Sequence, residues 1–441
     1  MDLGDLLLEL LAALAVTSRI DVGRRLALEQ EVADAVAAAD LDASPAGRAL
    51  VSHLAYDRAL ACAPAAEVRA TARRAVLHPA LEDQELVASG AFYQGLLALH
   101  FADDAAGVEL GVRRGLLAAE RLGNEPLFGA MHNLRGAARV AEGRIAEALD
   151  DLATSVQVVR RTGGLTLPGT FANLALATAL HGDLPGALAA LDLPAGGERW
   201  EAGASYTHYL FARGWVRLQA GDDRGAADLR TVIDRQQALG ADNPATIPAA
   251  FALAEHLAPA SPAEAADLWR PAAALAERFG APRTLACARR VGALVEPTRA
   301  LEHLERAVAV VDGTPWGLES LRCRLALGAA LAQVGRSEAA REVLRRVLAD
   351  ADELGARSLA DRAQALLVAS GARPRRRALT GPGSLTPTER HVAALAADGL
   401  TNREIAARRF VSVKAVEFQL ANAYRKLGIR SRAELPGALA D

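Results

Sequence analysis

Residues 141–152 read AEGRIAEALDDL: a short polar turn around a glycine, then small residues opening a second run of helix formers. The same arrangement returns as LHGDLPGALAAL at 180–191, QAGDDRGAADLR at 219–230 and QVGRSEAAREVL at 333–344. An alanine followed by alanine or leucine recurs at Ala148-Leu149, Ala187-Leu188, Ala226-Ala227, Ala265-Ala266, Ala300-Leu301 and Ala339-Ala340, with spacings of 39, 39, 39, 35 and 39. Glycines at 123, 163, 240, 280 and 355 mark the ends of the second helices. A unit of this length holds two antiparallel helices and two turns. Neither helix can bury its apolar face alone, so neighbours must stack.

Working outward, the period weakens before Gly123, although Ala66 and Ala106 keep roughly the right distances. The array is therefore expected to span residues 1–370. It resembles tetratricopeptide-like repeats, with a somewhat longer unit and without their strict aromatic signature. Composition agrees. The chain is 51% hydrophobic yet only 4% aromatic, and a mixture led by alanine and leucine suits an all-α protein far better than a β-rich one.

Cys62, Cys287 and Cys323 are isolated in sequence and match no metal-ligand spacing, so they read as core thiols in a reducing cytoplasm. The apolar run Leu6-Leu7-Leu8-Glu9-Leu10-Leu11 follows two aspartates and lacks the basic start and the length of a signal or anchor, so no membrane partner is expected. Tyr206, His208, Tyr209, Phe211 and Trp215 form the densest aromatic cluster, which reads either as core or as the lining of a ligand groove. Trp200, Trp269 and Trp316 read as wedges between helix pairs. His132-Asn133 and His181, with no second ligand at metal spacing, read as structural.

Residues 371–384, GARPRRRALTGPGS, form a Pro/Gly/Arg linker. Its Arg375-Arg376-Arg377 cluster reads equally as a solvated hinge or as an arm touching phosphate. Beyond it, residues 385–441 form a second unit of different character. Thr386-Pro387-Thr388-Glu389 and Thr401-Asn402-Arg403-Glu404 are capping boxes. Ser412 caps a third helix that Gly428 ends, and Ser431 opens a fourth. Four short helices, the second and third joined tightly at Phe410-Val411, describe a helix-turn-helix module. In the third helix Val413, Val416, Leu420, Ala423 and Leu427 make one apolar stripe. The other face presents Lys414, Glu417, Phe418, Ala421, Asn422 and Arg425. From Arg373 onward there are thirteen Lys/Arg against six Asp/Glu, a balance of +7; the whole chain is at −3, so the preceding residues carry −10. Both lysines, Lys414 and Lys426, fall in the third helix. A basic tail on an acidic body fits a nucleic-acid partner for the tail alone.

These residues carry a resemblance. Leu385-Thr386-Pro387, Glu389, Gly399-Leu400-Thr401-Asn402, Glu404-Ile405-Ala406, Ser412, Val416, Tyr424-Arg425-Lys426-Leu427-Gly428 and Ser431-Arg432-Ala433-Glu434-Leu435 resemble the C-terminal domain of the LuxR family of bacterial transcription regulators. The resemblance implies a third helix that reads the major groove of double-stranded promoter DNA, usually as a homodimer, with RNA polymerase as a further partner. The DNA-contacting set it implies is Thr401, Asn402, Arg403, Ser412, Lys414, Ala415, Glu417, Phe418, Ala421, Asn422, Arg425 and Lys426. Within that set Lys414, Arg425 and Lys426 face phosphates, and Glu417, Phe418, Ala421 and Asn422 face base edges. The chain departs from the family pattern at Arg409, Ala415 and Gln419, and Pro436-Gly437 is expected to cut the fourth helix short.

The arrangement also resembles the C-terminal half of large ATP-binding LuxR-family regulators, without their nucleotide-binding domain: no GxxxxGK[ST] loop occurs. Neither GxSxG, HExxH nor CxxC is present, so no enzyme, no cofactor and no metal are expected. The sequence thus reads as a cytoplasmic transcription regulator whose array senses a protein or small-molecule ligand and whose tail reads DNA. The alternative is a helical-repeat adaptor whose module has lost that role.

Overall fold

The computed structural model describes residues 8, 10–11, 14, 30–37, 44–84, 90–162, 167–193, 201, 204–372, 382, 385, 387–409 and 413–440, and among these the chain is helical with no strand. Helices come in antiparallel pairs. α1 (Pro45–Leu60) pairs with α2 (Ala65–Val76), α3 (Gly90–Phe101) with α4 (Ala105–Leu122), and α5 (Glu125–Ala141) with α6 (Ile145–Thr162). Next come α7 (Leu167–Leu180) with α8 (Leu184–Ala190), α9 (Ala204–Gln219) with α10 (Arg224–Ala238), and α11 (Ala249–Leu257) with α12 (Pro262–Phe279). Then follow α13 (Pro282–Val295) with α14 (Ala300–Val311), α15 (Gly317–Gln333) with α16 (Ser337–Leu354), and a lone α17 (Arg357–Ala369). Every recurring alanine lies in the second helix of its pair, as the period predicts.

Local chemistry explains the boundaries. Asp104, Asn124 and Asp183 each accept a hydrogen bond from the backbone N–H three residues on, at 2.8–3.1 Å, satisfying donors that a helix start leaves orphaned. Gly123, Gly280 and Gly355 end α4, α12 and α16 in the left-handed region, where a Cβ would be strained. Within a pair, small residues bring backbones together. A Cβ on Gly225 would lie 2.3 Å from the Gly214 carbonyl oxygen, with no flexible side chain to move aside. Gly225→Ala is therefore expected to destabilise the array by about 1–3 kcal/mol, the usual range for overpacking, measured as a lowered urea midpoint at unchanged slope.

The pairs wind into a superhelix that returns upon itself. Asn243 Nδ2 donates to the Ala59 carbonyl at 2.6 Å, and Arg278 Nε to the Cys62 carbonyl at 3.1 Å. The Arg283 N–H donates to Asp103 at 2.8 Å, and Ser358 Oγ donates to the Leu180 carbonyl at 3.0 Å. Partners 178–216 residues apart in sequence are thus neighbours in space. First helices also meet across the array: Arg283 of α13 reaches His100 of α3, and Arg322 of α15 lies 5.7 Å over the Trp215 ring of α9.

The aromatic cluster divides. Tyr209 and Phe211 are buried, and the Tyr209 hydroxyl donates to the Leu191 carbonyl; Tyr206 stacks on Tyr209 at 5.5 Å. His208 and Trp215 belong to the interior. Trp269 wedges α12 against α13, its indole N–H donating to the Ala288 carbonyl at 2.7 Å; Trp316 is also buried, and Trp200 lies outside the described residues. The three cysteines are free thiols. Among the described residues no helix is long and apolar enough to cross a membrane.

After residue 372 the chain builds a separate small core from α18 (Pro387–Ala397), α19 (Asn402–Arg409), α20 (Val413–Leu427), a 3-10 turn (Arg432–Glu434) and α21 (Leu435–Ala440). Val392, Ala393, Ile405, Val416, Ala423 and Leu435 are buried there. Two sequence expectations change. Val413 is 39% exposed, since as the first residue of α20 it lies past the end of that core. Pro436 does not cut the fourth helix short: it stands in the first turn of α21, where no backbone N–H is needed, and the helix runs on to Ala440. The linker arginines Arg375–Arg377, the turn at Phe410-Val411 and Ser412 lie outside the described residues, as do the side chains of Arg409 and Ala415.

Candidate nucleic-acid interface

The second capping box forms as its residue types require. Thr401 Oγ1 accepts from the Glu404 N–H at 3.2 Å, and Glu404 Oε2 accepts from the Thr401 N–H at 2.7 Å. Those bonds from Thr401 hold the Glu404 carboxyl below its usual range. With α19 so anchored, Ile405 and Ala406 meet α20, whose buried Val416, Leu420 and Ala423 fix its rotation. The same rotation turns Lys414, Glu417, Phe418, Ala421 and Arg425 outward. Phe418 is 69% exposed, and among the described residues no core contact accounts for an aromatic ring at mid-helix.

The remaining expected contact residues are placed less simply. Arg403 and Thr401 are exposed at the start of α19. Asn402 accepts from Arg432 Nη1 at 3.0 Å, and Arg432 also donates to the Ala396 and Leu400 carbonyls, so this pair clamps α18, α19 and the 3-10 turn together. Asn422 accepts from Arg425 at 3.0 Å. Lys426 is set differently from the open phosphate-facing cation that the sequence suggested. Its ammonium lies 2.5 Å from Glu389 Oε2, with the side chain 15% exposed, and ties α20 to α18. Burial pushes that ammonium down, and Glu389 only partly offsets it.

One placement had no sequence signal. Gln419 is buried, and its Nε2 donates to Asp150 Oδ1 on α6 at 2.5 Å, 269 residues away. α18 also packs against α6. The Gln419 flank of α20 thus rests on the array while the Phe418 face points away from the core. Among the described residues no group of three His, Cys, Asp or Glu is set to hold a metal ion.

Residues 383–436 match the family described as bacterial regulatory proteins, luxR family. Two proteins that carry the name HTH-type transcriptional regulator, from Mycobacterium bovis and Mycobacterium tuberculosis, are each 51% identical over 61 residues. That match covers 14% of this chain and 7% of either relative, so the chain shares only a small part of their length. Over the array, the crystal structure of a Rap protein complexed with Competence and Sporulation Factor aligns with a TM-score of 0.55 at 10% identity, covering 81% of this chain and 99% of that one. That likeness concerns fold alone. The tail is a different matter: its residues, their helices and its relatives agree, and residues 383–436 are a helix-turn-helix domain of the luxR family of bacterial regulatory proteins.

Proposed function

We propose that the chain is a cytoplasmic DNA-binding transcription regulator, with residues 1–370 as a signal-receiving array, 371–384 as a linker and 385–441 as the promoter-reading module. The observation that carries this is the outward face of α20. A rigid helix whose opposite side is locked in a core presents a cation at each end, Lys414 and Arg425, with Glu417, Phe418 and Ala421 between them. In the major groove the two cations take phosphates. Glu417 accepts from a cytosine amino group, and Phe418 and Ala421 meet thymine methyls. Thr401 and Arg403 add backbone contacts at the start of α19, and Ser412, Ala415 and Asn422 complete the contact set. Lys426 serves by fixing α20 on α18. A homodimer on paired half-sites, with RNA polymerase alongside, follows the pattern of such modules. The Rap protein was solved with a bound factor, which supports an array that takes a protein or small-molecule ligand. The Gln419–Asp150 bond supplies the coupling, because a change in the array's winding moves α6 and shifts the population of a DNA-competent module.

The test is fluorescence anisotropy of the full chain against its own upstream duplex and a scrambled one, at two salt concentrations. Preference for the upstream duplex is expected, and Lys414→Ala with Arg425→Ala should weaken binding to both duplexes alike, because phosphate contacts carry no sequence information. Losing two phosphate contacts should also flatten the log–log salt slope by about 1.8. Equal affinity for both duplexes, or an unchanged double variant, overturns the reading.

A further inference from the structure

A groove opens between α4 and α5, with a cavity volume of about 280 Å³. The apolar part of its lining is Val108, Val112 and Leu116 of α4, with Phe128 and Ala138 of α5. His132 of α5 lines it as well, its ring centroid 4.4 Å from that of Phe128. The imidazole is 1% exposed, and only one of its nitrogens is used. Nδ1 lies 2.8 Å from Asp151 Oδ1, whereas Nε2 is buried with no hydrogen-bond partner among the described residues. A buried polar atom left in that state calls for a reason. The ion cluster behind the groove does not supply one. The α9–α10 pair builds the same cluster from Arg213, Arg217 and Asp228, and Leu210 stands three residues before its first arginine, where α5 has His132.

Asp151 fixes the tautomer. Burial raises its carboxyl, yet His132 and the two arginines hold it below the usual range, so it is ionised and can only accept. Nδ1 therefore carries the ring proton, and in the neutral imidazole Nε2 is a bare acceptor. Arg135 Nη2 stands 3.3 Å from Nδ1, but its bond goes to Asp151 Oδ1 at 2.6 Å. What Nε2 lacks is an N–H or O–H donor. The four arginines of the lining are already paired: Arg135 and Arg139 with Asp151, Arg113 with Glu109, and Arg144 with Glu147. None is left over for an anionic head group. The volume stands at the lower end of the roughly 300–1,000 Å³ that ligand pockets span, which sets aside a peptide or an oligosaccharide. Phe128 is only half-buried, so part of its ring is open to a stacked or edge-on partner.

We propose that the α4–α5 groove binds a small neutral aromatic molecule bearing one N–H or O–H donor, with that donor on His132 Nε2 and the ring against Phe128, Val112 and Leu116. The proposal deepens the reading of the array as the signal-receiving part and rests on it. The site also has a short route to the tail. Asp151, which holds the other edge of the imidazole, follows Asp150, the residue that accepts from Gln419 of α20.

The experiment titrates the full chain with indole and with benzofuran, which keeps indole's shape and lacks its N–H, and follows both by ligand-observed NMR. Saturable binding of indole is expected, tighter than that of benzofuran by about tenfold or more, because a site built to take a donor rejects the analogue without one. His132→Phe keeps a ring and deletes the acceptor, so it should erase the difference between the two. Leu116→Trp fills the groove and should abolish binding of both. Hydrogen-exchange protection by indole is expected on α4 and α5. That footprint, with the indole–benzofuran ratio of the unmutated chain, decides the matter if either variant fails to fold. No saturable binding of indole, equal affinity for the two probes, an indole preference that survives in folded His132→Phe, unchanged binding by folded Leu116→Trp, or protection elsewhere overturns the site. Indole binding is read without DNA. A chain that takes indole but ignores its upstream duplex upholds this site and overturns the regulator reading; the converse overturns this site alone.

Discussion

Replacing Asp151 by alanine is expected to cost the array about 3–5 kcal/mol, the range for removing one partner from a buried ionic cluster. Asp151 is 2% exposed and lies among three partners. Arg135 reaches it through Nε at 2.9 Å and Nη2 at 2.6 Å, Arg139 through Nη1 at 2.6 Å, and His132 through Nδ1 at 2.8 Å. Deleting the carboxylate leaves two guanidinium groups facing one another across the α5–α6 contact, each less than a third exposed. The pH dependence follows. Burial raises the Asp151 carboxyl, but His132 and the two arginines outweigh it and hold it below the usual range. Its folded pKa is therefore depressed, so its stabilisation is present above the unfolded value of about 3.9 and is lost as pH falls through the folded one. Urea midpoints of the two chains should be far apart at neutral pH and converge only in strong acid. A gap of under 1 kcal/mol at pH 7 would mean that the cluster is merely tolerated.

That cluster also shows what the sequence makes legible. Arg135 and Arg139 against Asp151 recur as Arg213 and Arg217 against Asp228, where Arg213 Nη2 and Arg217 Nη1 lie 2.6 and 2.7 Å from the carboxylate. The period that places alanines in second helices places this ion cluster too, because both are local to one helix pair. The tail is as legible: the Thr401–Glu404 capping box, a two-faced third helix and glycine stops depend on neighbours three or four residues away. What stayed hidden depends on the winding of the superhelix. Gln419 registers in the sequence only as an unusual residue, since its partner Asp150 is brought near by the stacking of the whole array. Asn133 beside His132 reads as filler until the 40-residue step to Asn173 becomes a 3.0 Å hydrogen bond. Lys426 reads in the sequence as an open cation for the same reason in reverse, because its partner Glu389 sits on another helix.

The second large effect is expected at Arg290, where Arg290→Met should cost about 3 kcal/mol, near the lower end for breaking a buried pair. Arg290 is 8% exposed and joins three inner helices: its Nε lies 2.7 Å from Glu319 on α15 and its Nη1 2.9 Å from Glu255 on α11. Methionine keeps the length and loses the charge, so Glu319, itself 5% exposed, retains Arg322 at 3.6 Å and the weak Cys323 thiol donor at 3.7 Å. Burial alone would raise the Glu255 carboxyl; Arg290, with Arg322 and Arg362 behind it, overrides that and holds it low. A depressed carboxyl stabilises the fold above its unfolded pKa and ceases to as pH falls through the folded value. The gap between the two chains should accordingly be widest near pH 7 and narrow below about pH 4, where unpaired carboxylates protonate. Adding Glu319→Gln to Arg290→Met should recover part of the loss at pH 7, since a neutral amide no longer needs the missing cation. If the second change deepens the loss instead, Glu319 is held by hydrogen bonds rather than by charge, and the junction of α11, α13 and α15 is not an ion-paired one.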